Sequence, residues 1–222
     1  MDKFISSICG ASLAEILTLP ICTIKTIYQA ENLNIRDSVK KVYKNPSTIY
    51  KSTIPAVAAQ IYSSTYKLFL FTYFQSYFHK AYEIMILSAL ISVSALIVTH
   101  PLDYFRVSYQ INSNIEKNYF KGIVPNIMKA TIGGITYLPI RQIIKNNYPQ
   151  LESWKAGLYS ALISTIIVHP FDYFKTYLLG NNNSNINFRK SYRGIHINLL
   201  RIIPHFIIMT ETSDYVIKNL NK

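Results

Sequence analysis

The chain has 222 residues, a formal net charge of +12 and a mean hydropathy of +0.15. The basic residues are spread along the chain without a dense basic arm, which disfavours a nucleic-acid-binding protein. Cys9 and Cys22 lie thirteen residues apart in one apolar segment, too far along a helix to form a disulfide. No cluster of histidines, cysteines and carboxylates indicates a metal, a cofactor or an enzyme active site.

Apolar segments with few charges recur along the chain. Ile84–Leu102 has 19 residues without a charge, which is long enough to cross a hydrocarbon core of about 30 Å as a helix. Ala156–Phe171 is a second uncharged run, and residues 4–24 carry Glu15 as their only charge. Three further segments carry few charges, at about residues 52–78, 123–144 and 195–217. These segments predict six transmembrane helices, and the modest mean hydropathy predicts that each turns a polar face towards a cavity; core helices of a soluble protein are the alternative.

Three segments of the chain share a pattern that begins at a proline. An acid follows two residues later, a base five residues later and a glutamine nine residues later, with departures in the first and third copies. The copies are Pro20–Gln29, Pro101–Gln110 and Pro170–Leu179. Since three such copies each follow an apolar run, they predict a chain of tandem two-helix units. We expect these repeats at residues 1–80, 81–150 and 151–222.

Two further patterns keep the same register. Small residues stand thirteen and nine positions before each proline, where they favour close helix packing, and Gly133-Gly134 is expected to aid packing as well. The small residues are Ser7, Ala11, Ser88, Ser92, Gly157 and Ala161. An aromatic–basic–small element, typical of an interfacial turn, precedes the second helix of each two-helix unit. Its copies are Tyr50–Ser52, Phe120–Gly122 and Tyr192–Gly194.

With these features the chain resembles the mitochondrial carrier family, whose signature is Pro-x-[Asp/Glu]-x-x-[Lys/Arg] at the end of each odd helix, three times in tandem. The resemblance covers about residues 4–218 and is degraded in repeat 1. It implies an all-α membrane protein of six transmembrane helices in a pseudo-threefold barrel. Such a protein acts in the mitochondrial inner membrane by alternating access, as a monomer, and exchanges anionic metabolites. The bias towards Asn, Ile, Lys and Tyr is typical of an AT-rich genome, and we infer from it a giant-virus nucleotide carrier acting in a host mitochondrion.

The resemblance assigns the charged residues after the three prolines to a ring that closes the matrix side of the cavity. Within each copy the acid and the base lie three residues apart, so they share one helix face. Following the pairing direction of the family, Asp103 is expected to meet Lys175, and Asp172 to meet Lys25. Charges that are merely solvated at helix ends are the alternative.

The first repeat departs from this pattern. Cys22 stands where the third acid belongs, so Arg106 is expected to have no carboxylate partner. Gln29 and Gln110 resemble the braces that the family places beneath the ion pairs, whereas Leu179 cannot act as one.

A second ring, at the cytoplasmic side, is weaker. The family's aromatic-acid-x-x-base motif falls on three pairs of positions, which are Thr72 with Gln75, Gln142 with Lys145, and Asp214 with Ile217. No pair keeps both acid and base, so we expect hydrogen-bonded pairs at best. The resting protein is therefore expected to keep the matrix gate closed.

The resemblance also indicates where the substrate binds. Seven positions past each aromatic–basic–small element lie Ala59, Lys129 and Arg201, with Gln60 and Ala130 beside the first two. Each base interrupts an apolar stretch near the middle of a helix, where an ionisable side chain usually faces a cavity. Arginine binds phosphate or carboxylate through two hydrogen bonds, and lysine adds a point charge. These positions predict an anionic substrate.

A nucleotide is the substrate that we expect first, with Tyr62 or Tyr66 available to stack on the base. A carboxylate or phosphate carrier is one alternative. A carrier-like membrane scaffold that no longer transports is another, and the acid lost at Cys22 favours it. The expected partners are the small anionic substrate and membrane lipids, including cardiolipin, but no nucleic acid.

Six segments in three repeats predict that both chain termini face the same aqueous side of the membrane. The resemblance makes this side the intermembrane space. Protease protection of tags placed before Met1 and after Lys222, measured in mitochondria and mitoplasts, checks the prediction. Opposite protection of the two tags would exclude the six-helix topology.

Overall fold

The computed structural model of the chain describes residues 2–74, 77–78, 80–111, 118–180 and 188–220. Within these ranges the chain forms nine α-helices and one 3-10 helix, and it contains no strand, so the prediction of an all-α protein is confirmed for this part of the chain. The helices are α1 Asp2–Ala30, α2 Ile35–Lys44, α3 Ser47–Lys51, α4 Thr53–Phe74, α5 Ala81–Ser94, α6 Leu96–Ile111, α7 Ile123–Asn147, α8 Ser153–Gly180 and α9 Ile195–Leu220. The 3-10 helix Phe188–Lys190 lies before α9.

The sequence pattern implied that the three motif prolines lie at helix ends. In the structure they lie inside helices. After the proline, α1 continues from Pro20 to Ala30, α6 from Pro101 to Ile111, and α8 from Pro170 to Gly180. Proline removes one backbone hydrogen bond, but its φ is compatible with a helix, so the helix can continue past it. The motif charges therefore lie on continuous helices, two and five residues beyond the proline.

The long helices contact one another in chain order. Helix α1 packs on α4, α4 packs on α5 and α6, and these pack on α7; α7 packs on α8, α8 on α9, and α9 on α1. Helices α1, α6 and α8 also contact one another, and these are the three helices that carry the proline motif. The contacts therefore form a closed circuit in which the three motif helices meet.

Small residues allow the closest of these contacts. A Cβ atom added to Gly134 on α7 would lie 2.9 Å from the Cα of Ala89 and 3.2 Å from the backbone of Ser88 on α5. A Cβ atom added to Gly157 on α8 would lie 2.8 Å from the ring of Phe206 on α9. The predicted packing roles of Ser88, Gly134 and Gly157 agree with these contacts, which no larger residue could make without a shift.

An apolar cluster fills the space where the motif helices end. It joins the last turns of α1, α6 and α8 to α2. Its buried members are Ile27, Ala30, Val42, Tyr104, Val107, Ile111 and Leu179. Leu179, at the third glutamine position, therefore serves as core, and the cluster removes this end of the circuit from water.

Apolar side chains also cover the outer faces of the long helices. Exposed residues of this kind are Leu13, Ile16 and Leu17 on α1, Ile97 and Val98 on α6, Ile163, Ile166 and Ile167 on α8, and Leu200, Ile203 and Ile207 on α9. The inner faces, in contrast, carry most of the polar and charged side chains described below. An apolar outside around a polar inside is the reverse of a soluble domain, and apolar patches of this extent mark an interaction surface such as a membrane.

Length and apolarity single out fewer spans than the six predicted. Among the described residues, Ile5–Ala30 is the one helix long and apolar enough to cross a membrane. A second candidate appears if Tyr82–Ser94 and Leu96–Ile111, bent by 51°, form one span. The six predicted spans are thus not confirmed by these two properties, because the other long helices carry polar or charged residues within their apolar sequence, such as Gln60 and Lys67 in α4.

Gly134→Ala is expected to destabilise the fold, because the new methyl group meets the α5 backbone. Overpacking of this kind costs about 1–3 kcal/mol. The control is Gly133→Ala, whose Cβ meets only the Val168 side chain at 3.8 Å. The control should be neutral or more stable by up to about 1 kcal/mol, because alanine is the better helix former. Thermal unfolding of the purified protein in detergent measures both effects, and equal midpoints for the two variants would contradict the close packing of α5 on α7.

Candidate functional site

The charged residues that follow the three prolines lie close together and form what we call the Pro-linked ring (Cys22, Lys25, Asp103, Arg106, Asp172 and Lys175). Lys175 Nζ on α8 lies 2.5 Å from Asp103 Oδ2 on α6. Lys25 on α1 donates a hydrogen bond to Asp172 Oδ2 on α8. Both contacts expected from the sequence are thus present, and they tie α6 to α8 and α8 to α1.

The third position of the ring has a carboxylate after all. Arg106 Nη2 lies 2.8 Å from the Cys22 sulfur and 2.5 Å from Glu15 Oε1, so the expectation that Arg106 lacks a carboxylate partner was wrong. Glu15 lies seven residues before Cys22 on α1, which is about two helical turns, so both side chains face the same way. The acid of the first repeat is therefore displaced along the helix rather than lost.

Glu15 also binds a second cation. Its other oxygen, Oε2, lies 2.7 Å from Arg201 Nη2 on α9, and its side chain has no solvent exposure. His205 Nδ1 lies 3.9 Å from the same oxygen and 3.2 Å from Thr18 Oγ1. A buried carboxylate between two guanidinium groups is stable only because both of its oxygens are paired.

Asp172 repeats this arrangement in another part of the structure. One oxygen accepts from Lys25 of the Pro-linked ring, and the other lies 2.5 Å from Lys129 Nζ on α7. Each of these two carboxylates therefore joins a cation of the ring to a cation that the sequence assigned to the substrate.

Above the ring lies a cavity of about 860 Å³. Its wall contains all five positions that the sequence assigned to the substrate: Ala59, Gln60, Lys129, Ala130 and Arg201. Among the other lining residues are all six of the Pro-linked ring. The predicted substrate positions and the ring thus face one space, with the ring at its closed end.

The two glutamines that were expected to brace the ion pairs donate hydrogen bonds to other groups. Gln29 Nε2 donates to the carbonyl oxygen of Arg193 at 2.9 Å, and Gln110 Nε2 donates to Thr23 Oγ1 at 3.1 Å. Both side chains are fully buried. Because their amide groups bind the backbone before α9 and a hydroxyl on α1, they link neighbouring elements instead of supporting the charged ring.

The second predicted ring has no such contacts in the part that the structure describes. Thr72, Gln142 and Lys145 are exposed. Gln75 and the side chains of Asp214 and Ile217 lie outside the described residues. Lys145, near the end of α7, is thus exposed to solvent, in contrast to the buried Pro-linked ring.

The residue before two of the prolines binds the aromatic–basic–small element of its own repeat. His100 Nε2 lies 3.1 Å from the carbonyl oxygen of Lys121, and His169 Nε2 lies 3.1 Å from that of Arg193. In the first repeat the same place holds Leu19, which is buried. Sequence inspection found no role for these histidines, although their shared place before the motif proline was visible.

The glycines of this element explain its shape in the second and third repeats. Gly122 and Gly194 have φ of 75° and 84°, which side chains rarely adopt, whereas Ser52 in the first repeat has φ of −84°. The turn before the second long helix of the repeat therefore differs in the first repeat. The residue before the proline and the position of the acid also differ there.

No family model matches the chain. The chain is 33% identical over 219 residues to a mitochondrial carrier-like protein of Acanthamoeba polyphaga mimivirus. The match covers 93% of this chain and 92% of the relative. Identity of this size over nearly the whole of both chains is a family relationship rather than a shared motif.

Glu15→Gln is expected to destabilise the protein strongly, because it leaves Arg106 and Arg201 buried without their shared charge. Loss of one partner from a buried ion pair costs about 3–5 kcal/mol. Glu31→Gln is the matched control, since Glu31 pairs with Lys41 near the surface, where a pair contributes about 0–1 kcal/mol. Unfolding in mixed detergent micelles measures the two changes, and equal loss of stability would refute the special place of Glu15.

Proposed function

Because the chain belongs to the mitochondrial carrier family, we propose that it exchanges small anionic metabolites, first of all nucleotides, across the mitochondrial inner membrane. Its family makes it a membrane transport protein rather than an enzyme. The main support for an anionic substrate is the placement of Lys129 and Arg201 on the wall of one cavity of about 860 Å³. A volume of this size lies within the range of ligand pockets in proteins.

The architecture that we propose is a pseudo-threefold barrel of six transmembrane helices, built from repeats 1–80, 81–150 and 151–222 and acting as a monomer. The closed circuit of helix contacts supports it, as does the helix that continues past each motif proline. The apolar outer faces support contact with the acyl chains of membrane lipids, and the lipid partners that we propose include cardiolipin. Polar residues inside the circuit account for spans that are less apolar than usual, because they face the cavity.

In this proposal the Pro-linked ring is the matrix gate, and the ring with Thr72, Gln142 and Lys145 is the cytoplasmic gate. The ion pairs of the first ring are formed, and the apolar cluster lies behind them. The three named residues of the second ring are exposed. These contacts support a resting state that receives substrate from the intermembrane side.

The two bridging carboxylates couple the substrate to this gate. An anionic substrate that binds Arg201 competes with Glu15, and one that binds Lys129 competes with Asp172. Both carboxylates also hold cations of the closed ring, so the substrate weakens contacts that exist only in the closed state. Since a ligand shifts an equilibrium only by its differential energy between two states, this competition supplies the required difference.

Two observations bear on the alternatives. Tyr62 and Tyr66 stack on each other with ring centroids 5.3 Å apart on α4. Neither is among the described residues that line the cavity, so these rings do not favour a nucleotide over a phosphate or a simple carboxylate. The non-transporting scaffold rested on the lost acid at Cys22. Glu15 supplies a carboxylate to Arg106, so this argument for a scaffold no longer holds.

Exchange in liposomes tests the function. Purified protein loaded with unlabelled ATP is expected to take up labelled ATP or ADP, and competition by malate and phosphate ranks the other anions. Arg201→Ala should reduce uptake about tenfold or more, because a hydrogen-bonded charge contributes about 1.5–3 kcal/mol to binding. The variant should still fold but be less stable, since Glu15 Oε1 keeps Arg106 whereas Oε2 loses Arg201.

Arg36→Ala is the control, because it removes an exposed arginine of α2 outside the cavity. Wild-type uptake by the Arg201→Ala protein would remove Arg201 from the site. Failure of the wild-type protein to exchange any of these anions would overturn the transport function itself.

A further inference from the structure

His205 on α9 lies beside the ion pair of Glu15 with Arg201. Its Nδ1 is 3.9 Å from Glu15 Oε2. Arg201 stands four residues earlier on the same helix, so the two side chains share a helix face. Arg201 lines the cavity, whereas His205 is not among the described residues that line it. His205 is therefore placed to act on Glu15 without contacting a substrate in the cavity.

The hydrogen bonds of Thr18 indicate which ring nitrogen of His205 carries a proton. The Thr18 hydroxyl has a single proton, which it donates to the carbonyl oxygen of Ala14 at 2.8 Å. Thr18 Oγ1 therefore accepts a hydrogen bond from His205 Nδ1 at 3.2 Å. The Nδ1–H group is thus already directed towards α1, on which Glu15 lies. Nε2 is the nitrogen that is left to take up a second proton.

The charges around His205 favour its neutral form in this arrangement. Glu15 faces it with one negative charge, but Arg201 on α9 and Arg106 on α6 bring two positive charges to that same carboxylate. Helix α8 also packs on α9, and its charged side chains are paired with other groups: Lys155 with Glu152, Asp172 with Lys25 and Lys129, and Lys175 with Asp103. A third positive charge beside Glu15 is therefore unfavourable, the more so because little water reaches the ring.

An anion that binds Arg201 reverses this balance. In the proposed mechanism the anion draws Arg201 away from Glu15, so Oε2 loses its partner while Oε1 keeps Arg106. A proton from water that adds to Nε2 makes His205 a cation, and its Nδ1–H group can then take the place of Arg201 at Oε2. The His205 side chain is 19% exposed, whereas that of Glu15 has no exposure, so a proton reaches His205 first.

We propose that His205 takes up one proton when an anionic substrate displaces Arg201 from Glu15, so that the protein carries a proton together with the anion. This inference rests on the proposed function, because it starts from an anion in the same cavity. The proton returns to water when the anion leaves and Arg201 binds Glu15 again. Coupling of two binding events is reciprocal, so low pH strengthens anion binding, by up to about tenfold per pH unit for one proton.

Arg201→Ala tests the proton site without any ligand, because it frees Oε2 as an anion would. The folded variant should bind a proton at His205 more tightly than the unfolded chain does, so low pH stabilises it and the gain is lost as the pH rises. Between about pH 6 and about pH 8, on either side of the ordinary histidine pKa, its unfolding midpoint should fall further than that of the wild type. The extra fall should be about 3–5 °C, which corresponds to a tenfold difference in proton affinity in a chain of this length.

Adding His205→Asn to Arg201→Ala should remove this extra pH dependence. Asparagine keeps an N–H donor near the place of Nδ1, but it cannot become charged. The matched control adds His196→Gln instead, which replaces an exposed histidine of the same helix and should leave the extra dependence in place. Thermal unfolding in detergent measures all four proteins.

Titration calorimetry of the detergent-purified protein with ADP tests the coupling itself. Measurements in two buffers of different ionisation enthalpy count the protons that accompany binding. Wild type and His196→Gln should take up about one proton more per ADP than His205→Asn does, and this comparison cancels the protons that ADP itself exchanges. In liposomes, ADP uptake should rise with external acidity in the wild type more than in His205→Asn.

Equal proton uptake by wild type and His205→Asn would overturn the inference, even if both proteins exchange anions. An Arg201→Ala protein whose pH profile is unchanged by His205→Asn would overturn it as well. A wild type that exchanges no anion, but takes up the proton on binding ADP, would uphold the proton site and refute transport. The two proposals therefore fail separately.

Discussion

The arrangement of this protein depends on keeping buried cations paired. A lysine or arginine inside a membrane helix is costly unless a carboxylate or water meets it. Here five cavity cations share three carboxylates, and Glu15 and Asp172 each serve two of them. The helices that carry these side chains are thereby drawn together, so charge pairing and helix packing define the same closed end.

Sharing one carboxylate between two cations has a mechanical consequence. If every cation had its own acid, an anionic substrate could enter the cavity without affecting the ring below. Because Glu15 contacts both Arg106 and Arg201, any change in its contact with one alters its hold on the other. In the proposed mechanism this shared contact directly couples substrate binding at Arg201 to the ion pair of the gate at Arg106.

The first repeat departs from the other two at several positions that belong together. It has Leu19 before the proline where the others have histidine, and Ser52 where the others have a glycine of positive φ. Its acid is Glu15, two turns earlier than the motif places it. The motif residues thus serve two local purposes, which are to anchor a turn and to pair a base. A repeat can use other residues for each purpose and still keep its helix contacts.

The sequence by itself determined the all-α class and the register of three proline segments, because residues three apart on a helix share a face and equivalent helices repeat that face. The pairs of Asp103 with Lys175 and of Asp172 with Lys25 were expected from the resemblance to the carrier family, whose pairing direction they follow. Only the tertiary structure decided that Glu15 meets Arg106 and Arg201. The two arginines lie 91 and 186 positions after Glu15, and no local spacing relates an acid to a base on a different helix. The charge of Glu15 inside an apolar run was a visible signal, but its partners depend on which helices become neighbours, which packing alone decides.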